Sequence, residues 1–334
     1  MQTTSTSPDR RPDLRATGSG RWADPVFRSI TWTAGISVLV ILGLMIGSTT
    51  RDAWPVFQYQ GFLDFFTSAE WNSGFSRSEY TGEYGAFAFI YGTLISSAIA
   101  IAIALPLAIA ISLYINRLAP KRIRRTLTYT VELLAAIPSV VYGLWGLLFF
   151  SPAVLQPISR FLISTFGNVP FVGAFFEGPT RNVNYFIAGN VLAIMILPII
   201  TAIAREVMAQ TPEDQIQAAY GMGATDWEVM RRVILKRSFA GIVGATMLGL
   251  GRALGETIAV AMLIGGQQRW GASLFFAGQS MAGHIASTFQ DAAPETVDAL
   301  IAVGVGLFVI TVIVNVLARL LVWRIGRVAG DAAL

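Results

Sequence analysis

Residues 87–115 read FAFIYGTLISSAIAIAIALPLAIAISLYI and contain no charged side chain. About 20 apolar residues are enough for a helix to cross the hydrocarbon core of a bilayer, and this stretch is longer. A membrane β-barrel would instead show short segments of alternating polarity. Because lipid cannot satisfy backbone N–H and C=O groups, a stretch of this kind predicts a membrane-spanning α-helix.

Five further apolar blocks extend the same pattern along the chain, at about 29–48, 127–150, 186–204, 239–264 and 297–323. The composition agrees, because 54% of the 334 residues are hydrophobic and 13% are charged. Ordinary soluble domains carry about 25% charged residues. The sequence therefore predicts an all-α integral membrane protein with about six transmembrane helices.

Basic residues are distributed unequally between the two sides of these spans. Of the 24 Lys and Arg residues, 18 lie in the segments 1–28, 116–126, 205–237 and 319–334. Five lie in the segments of the opposite side, and Arg252 lies within a span. Since cytoplasmic segments carry the excess of Lys and Arg, both termini are predicted to be cytoplasmic.

The two ends of the chain are predicted to be tails. Residues 1–28 are polar and are interpreted as a disordered, membrane-flanking segment rather than a nucleic-acid-binding arm. Residues 325–334 are predicted to form a cytoplasmic C-terminal tail. Between these tails, residues 29–324 form the predicted transmembrane domain.

Long loops are predicted outside the membrane. The first carries Trp54, Trp71, Tyr80 and Tyr84. These aromatic residues either sit at the membrane interface or belong to a surface that docks an extracytoplasmic partner. His284, the only histidine, is predicted to be a solvated loop residue.

The cytoplasmic segment 211–237 predicts two short helices. Thr211 is the predicted N-cap of the first helix, with Pro212 at its first position, and the helix stops at Gly221-Met222-Gly223. Thr225 and Glu228 have the spacing of a capping box, which begins a second helix that ends at Lys236-Arg237. Acidic residues in this segment favour a protein partner over an interfacial helix on anionic lipid.

The fifth span contains a charged pair, Arg252 and Glu256, at the i and i+4 positions of one helix face. A charge near the bilayer centre must face protein or water. Either the pair neutralises itself and fixes packing, or Arg252 offers its guanidinium to an oxyanion and Glu256 holds the arginine in place. Ser139, after Pro138, and Thr257 are further candidates for the substrate pathway, although a plain kink also explains Pro138.

Three segments resemble a known family. Residues 217–236, QAAYGMGATDWEVMRRVILK, resemble the EAA loop of ABC importer permeases. Residues 132–143, ELLAAIPSVVYG, and 249–260, GLGRALGETIAV, are similar to PstC-type phosphate importer permeases. The EAA pattern usually has Glu where this chain has Gln217 and Pro where it has Lys236. The resemblance extends over nearly all of the chain from the first span onward.

The resemblance implies the fold of a type I ABC importer (MetI-like) permease in the bacterial cytoplasmic membrane. It implies that an ATPase dimer contacts the coupling loop, and the residues concerned are Gln217, Ala218, Ala219, Gly223, Ala224 and Thr225. It also implies a second, PstA-type permease, an extracytoplasmic phosphate-binding protein, phosphate as substrate, and no cofactor.

Two observations bear on the energy source. The chain has no G-x-x-x-x-G-K-[ST] motif and no cysteine, so it is predicted to hold neither ATP phosphates nor a thiolate-bound metal. ATP hydrolysis is therefore expected in a separate subunit. A permease for sulfate or molybdate, an ion-coupled secondary transporter, and a scaffold or sensor remain as alternatives.

Overall fold

The computed structural model describes residues 23–72 and 82–331, with side chains as far as residue 320. Residues 1–48 and 49–334 form two units, which are described separately. In the first unit, the described residues belong to the beginning of helix α1, and nearly all of their side chains are exposed.

The described chain is almost entirely helical. The helices are α1 (Ala23–Gln60), α2 (Phe62–Thr67), α3 (Phe87–Leu113), α4 (Lys121–Ala135), α5 (Ser139–Trp145), α6 (Gln156–Phe166), α7 (Tyr185–Ala209), α8 (Glu213–Gly221), α9 (Asp226–Glu228), α10 (Leu235–Leu254), α11 (Ile258–Ile264), α12 (Met281–Thr288) and α13 (Pro294–Asp331). Wider π-helical turns at Tyr114–Leu118, Gly146–Leu155 and Val229–Ile234 extend α3, join α5 to α6, and join α9 to α10. A 3-10 turn lies at Gly173–Phe175, and two short strands, β1 (Trp71–Asn72) and β2 (Glu83–Tyr84), pair antiparallel.

Six helical segments of the described chain are long and apolar enough to cross a membrane, as the sequence predicts. They are Ala23–Gln60, Phe87–Leu118, Ser139–Phe166, Tyr185–Ala209, Asp226–Leu254 and Pro294–Leu320. The number of spans therefore agrees with the prediction, whereas several of their bounds differ from it.

The third span differs most from its predicted range of 127–150. Helix α4 ends at Ala135, and the membrane-spanning segment begins only at Ser139 and runs to Phe166. Pro138 explains the interruption, since proline has no N–H and disfavours a helical conformation in the residue before it. Residues 127–135 thus belong to a separate helix that precedes the span.

The ends of three other helices also differ from the prediction. Helix α1 already begins at Ala23, and α13 continues to Asp331, so that residues 23–28 and 325–331 are helical rather than tails. The predicted tail residues 1–22 and 332–334 lie outside the described residues. The helix after the capping box does not stop at Lys236-Arg237, because it continues without a break to Leu254.

Helix α7 lies at the centre of the second unit and is the most buried of the spans. It packs against α3 and α10, and Gly189 and Gly241 mark the two contacts. A Cβ at Gly189 would lie 2.6 Å from Ile99, and one at Gly241 would overlap the side chain of Val207. Small residues permit this close approach of helices in a bilayer. Helices α5 and α11 in turn pack against α7.

Two aromatic residues of the first predicted outside loop are buried in a core shared with α3, α12 and α13 rather than lying at the membrane interface. Trp71 and Tyr84 face each other across the β1–β2 pair and are 8% and 2% exposed. They pack edge to face with ring centroids 5.3 Å apart, beside Phe89 of α3. Trp54 is exposed, as an interface residue would be, and Tyr80 lies outside the described residues.

Candidate functional site

The fifth span is interrupted at residues 255–257, directly after the predicted arginine of the pathway. Helix α10 ends at Leu254 and α11 begins at Ile258, so Arg252 lies in a last turn while Glu256 and Thr257 lie in the break. Glycines at 249, 251 and 255 lower the helix propensity here, at up to about 1 kcal/mol each. The prediction that Arg252 and Glu256 lie on one face of a single helix is therefore wrong.

The side chains in this break satisfy backbone groups instead of each other. One Glu256 carboxylate oxygen accepts from the N–H of Ala259 at 3.5 Å, and the Thr257 hydroxyl donates to the carbonyl of Gly255 at 3.1 Å. Within the described chain, neither Arg252 nor Glu256 has an opposite charge within salt-bridge distance. The self-neutralised pair that the sequence allowed is thus absent.

A second break, at residues 136–138, separates α4 from the third span. Ser139 is the first residue of α5 and is half-buried. The hydroxyl of Tyr142 donates to the carbonyl of Leu134 at 2.9 Å and so bridges the break. A carbonyl released by the loss of helical structure needs such a partner. Pro138 accordingly ends one helix and starts another, which is more than the kink that the sequence favoured.

The two breaks are neighbours because α5 and α11 pack side by side in the same direction. A Cβ at Gly143 would lie 2.9 Å from the Cα of Ala259, and one at Gly146 would lie 3.3 Å from Leu263. This register places Ser139 level with the break at 255–257. Glycine at 143 is required here, since any side chain would push the two helices apart.

Arg252 and Tyr142 are brought together at the junction of these breaks. The guanidinium of Arg252 lies close enough to the Tyr142 hydroxyl to interact with it electrostatically. Arg252 is exposed in the single chain, whereas Ser139, Glu256 and Thr257 are half-buried and Tyr142 is buried. A guanidinium without an acidic partner retains its donors for an oxyanion, which it binds in a bidentate manner.

The segment 211–237 forms a capped elbow close to the predicted one. Helix α8 is followed by a turn in which Gly223 has φ +84, the left-handed conformation that favours glycine. The Thr225 hydroxyl accepts from the Glu228 N–H at 3.4 Å, and the Glu228 carboxylate accepts from the Thr225 N–H at 3.1 Å. This confirms the predicted capping box.

The start of the elbow differs from the prediction. Pro212, rather than Thr211, occupies the N-cap position of α8. The Thr211 side chain is buried, and its hydroxyl has no hydrogen-bond partner. Pro212 has φ −59 and ψ 133, an extended cap conformation that the fixed φ of proline permits, and the helix starts at Glu213.

The residues assigned to ATPase coupling differ in exposure. Gln217, Ala218, Gly223 and Thr225 are exposed, Ala224 is half-buried, and Ala219 is 6% exposed. The turn borders a surface depression of about 380 Å³, lined by Ala219, Met222, Gly223, Ala224, Glu228, Arg232 and Val233. Met222 and Trp227 project from this surface and are 84% and 62% exposed. Exposed apolar side chains of this size are typical of a protein-docking surface.

His284 is not a solvated loop residue, as the sequence predicted. It is 5% exposed, stacks on Phe89 with ring centroids 3.9 Å apart, and meets Trp71 edge to face at 4.7 Å. Burial lowers the pKa of the imidazole to about 4. His284 is therefore a neutral residue of α12 that is buried against Trp71 and Phe89.

Sequence reasoning missed Tyr142 and the separation of α4 from the third span. Tyr142 lies in the ELLAAIPSVVYG segment that the analysis singled out, so its position was noted without a role. No local signal distinguishes it, because its function depends on the carbonyl of Leu134 and the guanidinium of Arg252. These groups meet only when the two breaks are adjacent.

Six spans, a capped elbow and a charged junction between interrupted helices define a helical membrane permease. Comparison with known proteins specifies the family. A family model described as "Binding-protein-dependent transport system inner membrane component" matches residues 104–327. The phosphate transport system permease protein PstC of Mesorhizobium japonicum is 41% identical over 308 residues, which cover 92% of each chain.

Two further similarities agree with this. PstC of Haemophilus influenzae is 38% identical over 309 residues, covering 92% of this chain and 96% of that one. A bacterial ABC transporter involved in the import of the acidic polysaccharide alginate has a chain with TM-score 0.58 and 17% identity, covering 91% of this chain and 98% of that one. At this identity the likeness concerns the fold alone.

The chain belongs to the PstC family of phosphate transport system permease proteins, within the binding-protein-dependent ABC importers. It is a multi-pass protein of the inner membrane. Membership in this class implies an ATPase and a substrate-binding protein as partners.

Proposed function

We propose that this chain is a pore-forming subunit of an ATP-driven importer of inorganic phosphate. The observation that carries the proposal is the position of Arg252, a guanidinium without an acidic partner among the described residues, at the junction of the two helix breaks. Phosphate presents the paired oxygens that such a group binds best. The close PstC relatives support phosphate over sulfate or molybdate as the transported ion.

The site residues have distinct proposed roles. Arg252 contacts the ion, and Ser139 and Thr257 supply hydroxyl donors beside it. Glu256 caps α11 and keeps a negative charge near the arginine, which weakens binding enough for the ion to leave. Tyr142 bridges the break before α5 through its hydrogen bond to Leu134, and its hydroxyl interacts electrostatically with the guanidinium.

Coupling to ATP hydrolysis would run along one continuous helical segment. This segment begins at the capping box with Asp226 and ends at Leu254, two residues beyond Arg252. At about 1.5 Å per residue it is roughly 40 Å long. An ATPase dimer that moves the elbow would therefore move Arg252 and switch the junction between outward-open and inward-open states.

The remaining partners are part of the same proposal. The chain would pair with a PstA-type permease and receive phosphate from an extracytoplasmic binding protein at its outer loops. The coupling residues would be Gln217, Ala218, Ala219, Gly223, Ala224 and Thr225. Both termini would be cytoplasmic, following the excess of Lys and Arg on that side.

Uptake of radiolabelled phosphate tests the site. Arg252→Gln is expected to lower uptake about 10- to 100-fold, because a hydrogen bond to a charged group contributes about 1.5–3 kcal/mol. Arg252→Lys keeps the charge but loses the bidentate geometry of the guanidinium, and it should retain an intermediate rate. Glu256→Gln should change release more than binding, so that the maximal rate falls while KM stays the same or decreases.

Two controls accompany these variants. Sulfate uptake should stay at background in every variant, and each complex should retain its ATPase subunit. Wild-type phosphate uptake in both Arg252→Gln and Glu256→Gln would refute the assignment of the pathway.

A further inference from the structure

Helix α4, of which residues 127–135 were predicted to belong to the third span, has an unusual distribution of charge. Four of its first five residues are basic, namely Lys121, Arg122, Arg124 and Arg125, and its first turn has no acid. The N-terminus of a helix carries a partial positive charge, so each cation there is unfavourable by about 0.3–1 kcal/mol. The fold itself therefore gains nothing from placing these four charges in one turn.

None of these four residues forms an ion pair within the described chain. Arg124 donates to the carbonyl of Ala119 at 3.5 Å, and the Nε of Arg124 is buried without a hydrogen-bond partner. Arg125 donates from Nε to the Tyr129 hydroxyl at 2.9 Å. The acid of α4, Glu132, pairs instead with Arg205 of α7 at 3.6 Å. Four cationic groups thus remain available for an anion.

The exposed side chains of α4 change from basic to apolar along the helix axis. Arg122, Arg125, Tyr129 and Leu133 follow one another at helical spacing and are all exposed. Basic side chains occupy the first turns, and Tyr129 and Leu133, which are 49% and 69% exposed, occupy the later ones. This order, with cations at one end and apolar side chains at the other, matches the passage from lipid headgroups into the acyl region.

The position of α4 along the chain fits the same environment. Two residues separate it from the end of the second span at Leu118, and three separate it from Ser139, where the third span begins. It lies on the side of the coupling segment, because Arg117 pairs with Glu213 of α8 at 3.7 Å. That this side faces the cytoplasm rests on the proposed function.

From these observations we infer that α4 is a binding site for anionic phospholipid headgroups of the cytoplasmic leaflet, with Lys121, Arg122, Arg124 and Arg125 contacting phosphate groups and Tyr129 and Leu133 contacting acyl chains. The negative surface potential of that leaflet attracts basic segments next to a span. A bound headgroup also offsets the unfavourable interaction of the four cations with the helix N-terminus. Since α4 leads directly into the break at Ser139, lipid binding would hold the entrance to the pathway in place.

The test uses the complete transporter in nanodiscs in which phosphatidylcholine is replaced stepwise by phosphatidylglycerol. The variant is Arg122→Gln with Arg125→Gln. The matched control is Arg160→Gln with Arg181→Gln, which removes the same charge from exposed positions outside α4. Retained phosphatidylglycerol is counted by native mass spectrometry, and phosphate-stimulated ATP hydrolysis is measured against its fraction.

The α4 variant is expected to bind phosphatidylglycerol about 30-fold more weakly, which corresponds to ~1 kcal/mol for each basic residue removed. Its hydrolysis curve should shift to higher phosphatidylglycerol fractions, and the control pair should leave phosphatidylglycerol retention unchanged. Arg122→Lys with Arg125→Lys keeps the charge and should restore both. In the wild type, rising salt should weaken lipid retention.

Three outcomes would overturn the inference. One is an equal affinity of wild type and α4 variant for phosphatidylglycerol, and another is lipid retention in the wild type that does not respond to salt. The third is loss of the ATPase subunit from the α4 variant at every lipid composition, since α4 would then be a protein-docking surface. A loss of phosphate uptake in Arg252→Gln belongs to the pathway and leaves lipid retention unaffected, so the two proposals fail independently.

Discussion

At the residue scale, the candidate site depends on which polar groups are left without a partner inside the chain. Glu256 and Thr257 bind backbone groups of their own break, and Tyr142 binds the carbonyl of Leu134. Arg252 alone among these four has no hydrogen bond or ion pair within the described chain. An arginine that is kept near a break without an acidic partner is available to a ligand, which is why the proposed pathway centres on it.

His284 gives a prediction of pH dependence at the same scale. Its pKa is about 4 in the folded chain, below the ordinary value of about 6.5, because the stacked and buried ring is desolvated when charged. The unfolded chain therefore binds more protons between these two values. The contribution of neutral, buried His284 to the free energy of unfolding is therefore fully present above about pH 6.5. It is lost as the pH falls towards 4, by up to about 3 kcal/mol.

Thermal unfolding of wild type and His284→Phe between pH 4 and 7 measures this effect. Phenylalanine keeps the stacking on Phe89 and cannot be protonated, so the variant should lose less stability in acid than the wild type. The difference between the two proteins should be greatest near pH 4 and small at pH 7. Equal acid sensitivity of both would show that His284 is protonated in the folded state without penalty.

At the scale of single elements, the elbow between α8 and α9 is held by two local devices. Gly223 takes a left-handed conformation, and the Thr225–Glu228 capping box begins the helix that leads to Arg252. Gly221, two residues earlier, lies at the end of α8 with ordinary helical geometry. A Cβ would meet no atom within 4 Å at either glycine. The two positions therefore differ in backbone conformation and not in available space.

Alanine substitution at the two glycines separates these contributions. Gly223→Ala should destabilise the elbow by about 1–2 kcal/mol, because a side chain disfavours the left-handed conformation. Gly221→Ala should be neutral or stabilising by up to about 1 kcal/mol, since alanine is the better helix former. Thermal unfolding and phosphate-stimulated ATP hydrolysis of the assembled complex are the measurements. Equal behaviour of the two variants in both measurements would count against a role for the elbow geometry in coupling.

At the scale of the whole molecule, the sidedness of the chain remains a prediction from its Lys and Arg distribution. The absence of cysteine makes it directly testable, because a single introduced cysteine has no background. Ser164, near the end of α6, is predicted to face outwards, and Gln215 of α8 is predicted to face the cytoplasm. Both side chains are exposed.

Labelling with a membrane-impermeant thiol reagent tests this sidedness. In intact cells stripped of any outer barrier, Ser164→Cys should be labelled, and Gln215→Cys should be labelled only after the membrane is opened. The cysteine-free wild type serves as the control. Labelling of Gln215→Cys before the membrane is opened would place the elbow outside and exclude ATPase coupling through it.

Apolar blocks of sufficient length, read from the sequence alone, determined that the chain spans a membrane about six times. The capping box at Thr225 and Glu228 was equally predictable. Both are local properties: a span needs about 20 apolar residues, and a cap needs four residues in order. The Arg252 region was located in the same way, since a charge within an apolar block stands out in any sequence.

Only the tertiary structure decided how the two interrupted spans meet. Whether Pro138 kinks a helix or ends it, and whether Glu256 pairs with Arg252 or caps α11, depends on the packing of α5 against α11 at Gly143 and Ala259. The burial of His284 depends likewise on Trp71 and Phe89, which are distant in sequence. The physical reason is the same in each case. A local sequence pattern determines which hydrogen bonds and contacts a segment can form within itself, whereas its remaining partners come from segments that are distant in sequence.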